Sequence, residues 1–447
     1  MAPHPLIIDT DPGVDDILAL LLALASPDEV EVRAITLTFG NTTLDYAHSN
    51  VLRLGSVLRE HLESPSTPQA VKESFRSFRP DANKILVAAG AKKPIGGRMF
   101  TASYFHGRDG LSGLSSLPGD PFPAPEKAPA PLETTEKSAV DVILDILKNE
   151  PEGTVKIAAL GPLTNIALAF EKDPYTFSRV AGVSIMGGAL DVPGNTSPVA
   201  EFNFFADPWA CKVLFEKAPA HPCFEGKELP FDLLPLDITT LHTVPYSRLV
   251  REEGQLEGCG RLEKFVSTFL THPRMVTNNF ADPGKFDPEI HDLFHAHDPL
   301  AVAHAIFVPP GKSCEDVRGW RDEVRSFVVE AEGQLTRGFC VVDRRGGKAD
   351  SGYGKNRAES DPDSNPSLRK EEQEGGGDQG DRIITISPEE QMIRKKQRLT
   401  SGNSKTTTKT NGHATSKTST GVGAVRVVTE TPGKEWFADM FLGRLGL

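Results

Sequence analysis

The stretch Leu6-Ile7-Ile8-Asp9-Thr10-Asp11-Pro12-Gly13-Val14-Asp15-Asp16 decides how this chain folds. Its apolar run ends on Asp9, Pro12-Gly13 mark a turn, and Ile17, Leu18, Leu21, Leu22 and Leu24 follow at helical spacing up to Ser26-Pro27. A short apolar run, a turn and a segment of 3.6-residue period read as strand, loop and helix. Asp9, Asp11, Asp15 and Asp16 therefore gather where the strand ends and the helix starts. Capping and the helix dipole account for one or two acidic residues at such a place. Four converging carboxylates repel one another unless a cation neutralises them. All are hard oxygen donors with no His or Cys beside them, which selects Ca2+ or Mg2+. A strand ending in Asp-x-Asp also suits a Mg2+-dependent phosphatase with an aspartyl nucleophile, so the cluster alone leaves the reaction open.

Working outward, residues 30–37 make a second buried strand that Gly40 ends, and 47–62 carry a helical pattern. Residues 85–88 read as a strand and 140–147 as a helix. Residues 155–160 form a strand, followed by the turn Gly161-Pro162 and a helix from Thr164. Residues 180–186 form a strand ending at Gly187-Gly188, 208–215 a helix, and 233–238 a further strand. Strands alternating with helices predict an α/β fold with a mostly parallel, Rossmann-like central sheet flanked by helices. Ligands in such sheets bind beyond the carboxyl ends of the strands.

Residues 62–83 and 117–135 are rich in Pro with Ser or Ala and read as loops. From 344 to 420 the chain has no Phe or Trp and is rich in Ser, Thr, Gly, Lys and Glu. Such a composition buries too little apolar surface to offset its ordering entropy. The reading is an α/β core over 1–343, a disordered low-complexity insertion over 344–423, and a strand and helix over 424–447 that complete the core. Trp436, Phe437, Met440, Phe441 and Leu445 fit one face of that last helix. The basic run Arg394-Lys395-Lys396-Gln397-Arg398 reads as a solvated charge run.

A hydrophobic content of 38% supports a sizeable core in a chain of 447 residues. A net charge of −12 argues against a nucleic-acid polymer as partner, though not against one small nucleoside. Five cysteines without a CxxC pair disfavour a disulfide framework or zinc site and favour a reducing, cytoplasmic setting. No signal peptide and no run of 18 apolar residues is visible, so no membrane partner is expected. His291, His295, His297 and His304 are too irregularly spaced for a transition-metal cluster.

Six motifs in order resemble the inosine–uridine-preferring nucleoside hydrolases. They are the Asp9–Asp16 run, Gly40-Asn41, His106-Gly107-Arg108-Asp109-Gly110-Leu111, Leu160-Gly161-Pro162-Leu163-Thr164-Asn165, Met186-Gly187-Gly188 with Asn195 and Glu201-Phe202-Asn203, and His297-Asp298-Pro299. The resemblance spans roughly residues 5–343 and resumes near 424. It implies a calcium-dependent hydrolysis of the N-glycosidic bond of ribonucleosides such as uridine or inosine, giving free base and ribose. It places one Ca2+ per active site on Asp11, Asp16, Asp298 and the backbone carbonyl of Leu160, where the family often has Thr. Asp11 would also be the general base. Asp15, Asn41, Asn195, Glu201 and Asn203 would bind the ribose hydroxyls, with Met186 on the pocket floor. His297 would lie near the base as the acid for the leaving group, and His106 at the pocket mouth. Family members are commonly homodimers or homotetramers.

The chemistry is coherent with these residue types. Breaking an N-ribosyl bond builds positive charge on the sugar, which carboxylates stabilise as it develops. Vicinal hydroxyls need donors and acceptors at fixed places, which Asn and Glu supply. Glu201 and Asn203 share a face if their segment is extended. The phosphatase alternative leaves Asn41, the 195–203 pattern and Asp298 without a common role, and calls for a lysine beside the phosphate. A non-catalytic ribose- or Ca2+-binding protein would have lost the proposed base or ligands, yet Asp11, Asp16 and Asp298 are all present.

Overall fold

The computed structural model describes residues 2–279, 283–345 and 424–446. Its strands are β1 (His4–Thr10), β2 (Val30–Leu37), β3 (Ile85–Ala89), β4 (Leu132–Thr135), β5 (Lys156–Ala159), β6 (Gly182–Met186), β7 (Phe231–Leu234), β8 (Thr243–Pro245), β9 (Leu293–His295), β10 (Arg321–Ser326), β11 (Val328–Val329), β12 (Cys340–Val341) and β13 (Ala424–Glu430). Nine of them form one sheet in the order β10-β13-β7-β6-β5-β1-β2-β3-β4. Every pairing in it is parallel except the outermost, between β10 and β13. The pairs β8–β9 and β11–β12 make two small antiparallel sheets.

β1 lies near the middle, between β2 and β5, and Leu6, Ile7 and Ile8 are fully buried. A strand covered by helices on both faces reads as a continuous apolar run, as β1 does. Helix α1 (Val14–Leu24) follows it, and every residue of α1 except Asp15 is buried. Helix α2 (Leu44–Glu63) follows β2, with an amphipathic pattern that buries Val51, Leu54 and Leu58. α1 packs against the helix His297–Phe307, so two helices distant in sequence bring their first turns together. Asp15 and Asp16 occupy one of those turns and Asp298 the other.

The described residues up to 345 and from 424 onward form one compact unit. β13 adds in parallel to β7, with Arg426 opposite Asp232, and the helix Lys434–Leu445 buries Phe437, Phe441 and Leu445. Beyond Arg345, the expected 344–423 insertion and its basic run lie outside the described residues. No helix among the described residues is long and apolar enough to cross a membrane.

Several local expectations are corrected. The expected strand 233–238 is a strand only over Phe231–Leu234; Pro235 ends it and a short helix, Leu236–Thr239, follows. The expected loop 62–83 contains the helix Gln69–Ser74 and a 3-10 turn at Arg76–Phe78, anchored by buried Phe75 and Phe78. The expected loop 117–135 ends in the edge strand β4. The expected helix 208–215 is α-helical over Pro208–Lys212 and widens to a π turn at Val213–Lys217.

Candidate active site

The loops leaving the carboxyl ends of β1, β2, β5 and β6 surround a cavity of about 310 Å3. Asp15, Asn41, His106, Leu160, Met186, Asn195, Glu201, Asn203, His297 and Asp298 all line it. Asp11 and Asp16 are fully buried beside this lining.

Asp11 is held by the backbone that closes around it. Its Oδ2 accepts the Asn41 backbone N–H at 2.6 Å, and its Oδ1 has no hydrogen-bond partner among the described residues. A Cβ on Gly40 would stand 1.9 Å from Oδ2, and one on Gly161 2.6 Å from Oδ1. Both positions need glycine so that backbone can close around the carboxylate. Burial, with Asp16 and Asp15 nearby, raises the pKa of Asp11 well above the usual carboxylate range.

Asp16 is saturated. Its Oδ1 accepts from the Thr10 hydroxyl at 2.5 Å and the Asp11 N–H at 3.2 Å, its Oδ2 from Gly13 N–H and Asn41 Nδ2, both at 2.9 Å. Asp15 differs: its buried Oδ1 has no hydrogen-bond partner among the described residues and lies 4.0 Å from His106 Nδ1. Burial and Asp16 push the pKa of Asp15 up to about 8. Asp298 is raised well above the usual range by burial and then by Asp15, Asp16 and Asp11. Oxygens of Asp15, Asp16 and Asp298 lie within 4.8 Å of one another, a set that could hold a metal ion. Orphaned buried oxygens on Asp11 and Asp15, mutual repulsion and an all-oxygen donor set fit a hard divalent cation. Asp15 thus stands closer to the expected ligands than the sequence reading placed it.

The opposite wall is built from the segment after β6. Asn195 Oδ1 accepts the Phe202 N–H at 2.9 Å. The expectation of an extended Glu201–Asn203 piece is corrected: Glu201 is the N-cap of the helix Phe202–Ala206. Its carboxylate accepts from Asn203 N–H at 2.7 Å, Phe204 N–H at 3.1 Å and Gly188 N–H at 2.9 Å. A side chain that caps a helix start satisfies donors that an extended strand would turn elsewhere. Asn203 gives its amide hydrogens to the carbonyls of Leu160 at 2.6 Å and Met186 at 3.2 Å, which leaves its Oδ1 as an acceptor. The Leu160 carbonyl therefore already carries one hydrogen bond.

The histidines sit on the third side. His106 Nδ1 accepts the Val14 N–H at 3.2 Å, and burial lowers its pKa to about 4. His297 shares a hydrogen bond between Nδ1 and the Thr239 hydroxyl at 2.8 Å. Its ring stacks on His295 at 5.9 Å, and burial with His295 and His106 lowers its pKa to about 3.

Sequence motifs missed the aromatic part of the lining: Tyr104, Phe105, Tyr246 and Phe294, with Thr277 and His295. Tyr104 and Phe105 adjoin His106 in sequence, and that adjacency was the available signal. Thr277 and Phe294 lie within 274–297, where the family resemblance expects contacts to the base, whereas Tyr246 comes from a segment that carried no signal. Asp9 does not line the cavity. Its Oδ1 accepts from Thr36 at 2.6 Å and from Asn165 Nδ2 at 2.8 Å, and burial raises its pKa to about 7.

The site joins an acidic, cation-ready cluster to a sugar-sized polar wall and an aromatic rim, at the carboxyl edge of a parallel sheet. That arrangement could hold a hard cation beside a small ligand that has both polar and planar apolar parts. The model of the inosine-uridine preferring nucleoside hydrolases matches residues 6–364, so the chain belongs to this family and is a ribonucleoside N-glycosidase. It is 38% identical to a pyrimidine-specific ribonucleoside hydrolase, RihA, of Salmonella schwarzengrund, over 76% of this chain and 88% of that protein. It is 36% identical to an uncharacterised protein of Schizosaccharomyces pombe, over 56% of this chain and 66% of the relative. Among solved structures it resembles a purine-preferring ribonucleoside hydrolase from Gardnerella vaginalis, with 25% identity, a TM-score of 0.55, and coverage of 76% of this chain and 88% of that one.

Proposed function

We propose that this enzyme hydrolyses ribonucleosides such as uridine or inosine with one Ca2+ in each active site, and that Asp11, Asp16, Asp298 and the Leu160 carbonyl hold the ion. The observation that carries this reading is the meeting of Asp298 with Asp15 and Asp16, within 4.8 Å, beside a cavity of about 310 Å3. When bound, the ion supplies positive charge that favours deprotonation of the attacking water and helps fix the vicinal hydroxyls. An oxygen-rich set of this kind suits the flexible coordination of Ca2+ better than the strict octahedron of Mg2+.

The chain's own groups have distinct tasks. Asp11 Oδ1, without a protein partner, takes the proton of the attacking water while Oδ2 stays anchored on Asn41. The water oxygen bonds to the anomeric carbon, and the C–N bond breaks with its electron pair on the base nitrogen. Asp15, Asn41, Asn195, Glu201 and Asn203 bind the ribose hydroxyls, and Met186 closes the floor. Asp15, Glu201 and Asp298, held ionised when the cation is bound, would place negative charge beside the sugar, which favours the cationic transition state. His297 is neutral near pH 7 and, in the tautomer where Thr239 donates to Nδ1, its Nε2–H donates a hydrogen bond to the leaving base; as the leaving-group acid it first takes up a proton, passes it to the base nitrogen and returns to neutral imidazole. His106 steadies the pocket mouth.

Among the described residues no lysine or arginine lines the cavity, which argues against the phosphatase. The test is a panel of nucleosides and one phosphomonoester, with and without a chelator, reading free ribose and inorganic phosphate. The expected outcome is ribose release that stops on chelation and returns with Ca2+. Phosphate release without ribose from any nucleoside would overturn the reading.

A further inference from the structure

Two loops of the site depend on one amide outside it. Asn50 lies on α2, is 2% exposed and does not line the cavity. It donates one Nδ2 hydrogen to the Pro12 carbonyl at 2.9 Å and the other to the Asp109 carbonyl at 2.8 Å. Pro12 follows Asp11 directly, and Asp109 belongs to the loop that carries His106. We infer that Asn50 is a positioning residue for the hydrolysis, setting the acidic loop against the His106 loop. The inference rests on the proposed function.

The surroundings say why a single side chain suffices. The His106 loop is stiffened from within, because the Asp109 carboxylate accepts from Leu111 N–H, Gly113 N–H and both the N–H and hydroxyl of Ser115, at 2.7–3.0 Å. A loop with fixed shape still needs a fixed place. The Thr42 hydroxyl holds the Arg108 carbonyl at 2.9 Å, and Val14 N–H reaches His106 Nδ1. Gly110, at φ +81°, lets the loop lie so close that a Cβ there would stand 2.9 Å from the Pro12 carbonyl and 3.0 Å from Asn50 Nδ2. Beside the direct Val14–His106 bond, Asn50 is a buried side chain that hydrogen-bonds both loops at once. An asparagine amide is suited to this because it has two donors at fixed angle.

The near-isosteric variant Asn50→Asp has no hydrogen to give either carbonyl when ionised and one at most when protonated, and it sets oxygen against oxygen. Measured at a temperature well below its unfolding midpoint, its kcat should fall about 10- to 100-fold, as for a small misplacement of reacting groups. KM should change by less than about threefold, because the ribose wall at Asn195 and Asn203 is untouched. Asn50→Ser, which keeps one donor, should lose less and would decide the matter if the aspartate variant failed to fold. A lowered midpoint with wild-type kcat, or a raised KM at unchanged kcat, would overturn the inference and leave Asn50 a fold or binding residue. A wild-type enzyme that frees no ribose from any nucleoside defeats the proposed function instead, and this inference with it.

Discussion

Asp11 has the most to lose from a single atom. Asn41 N–H and the two glycines at 40 and 161 fix its carboxylate, and only Oδ1 remains to take a proton. Asp11→Asn keeps the shape and the anchor on one oxygen but removes the proposed base and weakens a proposed ligand of the ion. Turnover should drop by about 10²- to 10⁴-fold, the range typical for losing a general base, while the circular-dichroism spectrum stays that of the wild type. Near-normal turnover would take Asp11 out of the mechanism. At this scale the acidic run was legible because four carboxylates in eight residues have few bland explanations. What each one does was not. Asp9 is fully buried, bonded to Thr36 and Asn165, and ties β1 to its neighbours. Asp16 spends both oxygens on the turn, and Asp15 keeps an unpartnered oxygen. Direction of a side chain at a strand end depends on pairing partners far along the chain, which the local pattern does not contain.

Elements were legible where a long pattern repeated and obscure where a short one did not. β1, the acidic loop and α1 follow from a buried strand's apolar run and a helix period. Leu233, Leu234, Leu236 and Ile238 are all apolar, and such a run fits strand or helix alike. Pro235 divides them, the strand stopping before it and a helical turn starting after it. β4 has the sequence Leu-Glu-Thr-Thr, too short and polar to announce a strand; its pairing with β3 makes it one. The antiparallel pairing of β10 with β13 bridges the long segment between 326 and 424 and leaves no local trace. The closing strand β13 makes a test possible at this scale. Arg426 Nε donates to Asp232 Oδ1 at 2.7 Å, and Asp232 is 6% exposed. Arg426→Leu should cost about 3 kcal/mol in urea unfolding, because it takes from a buried carboxylate the arginine bonded to it and leaves Lys156 as the nearby cation. A simultaneous Asp232→Leu should recover much of that loss, whereas additive losses would show that the pair contributes nothing as a pair.

The molecule as a whole carries neutral histidines far from the cavity, and they set how it meets acid. His304 lies in the interior, its Nδ1 bonded to the Ser184 hydroxyl at 2.8 Å and its Nε2 to the Cys314 thiol at 3.4 Å. Lys156 on β5, Asp232 on β7, Arg426 on β13 and the Trp320 ring also face it. Burial, then Lys156 and Arg426, lower its pKa to about 3, against the opposing pull of Asp232. His4, bonded to the Ala305 carbonyl at 3.0 Å, is lowered to about 4, mainly by burial. Between these values and about 6.5 the unfolded chain binds protons at both positions and the folded chain does not. Stability therefore rises with pH across that window and falls on acidification below 6.5, by roughly 1.4 kcal/mol per pH unit for each such histidine. Asp9, raised to about 7 by burial, acts in the opposite sense, since the fold holds its proton where the unfolded chain has released it. Comparing wild type with His304→Gln cancels the carboxylates, which both proteins share. Urea unfolding at pH 7.5 and 5.0 should show wild type losing stability relative to the variant at the lower pH. Parallel curves would mean that His304 takes up its proton inside the folded protein and that the interior around Ser184 and Cys314 admits the charge.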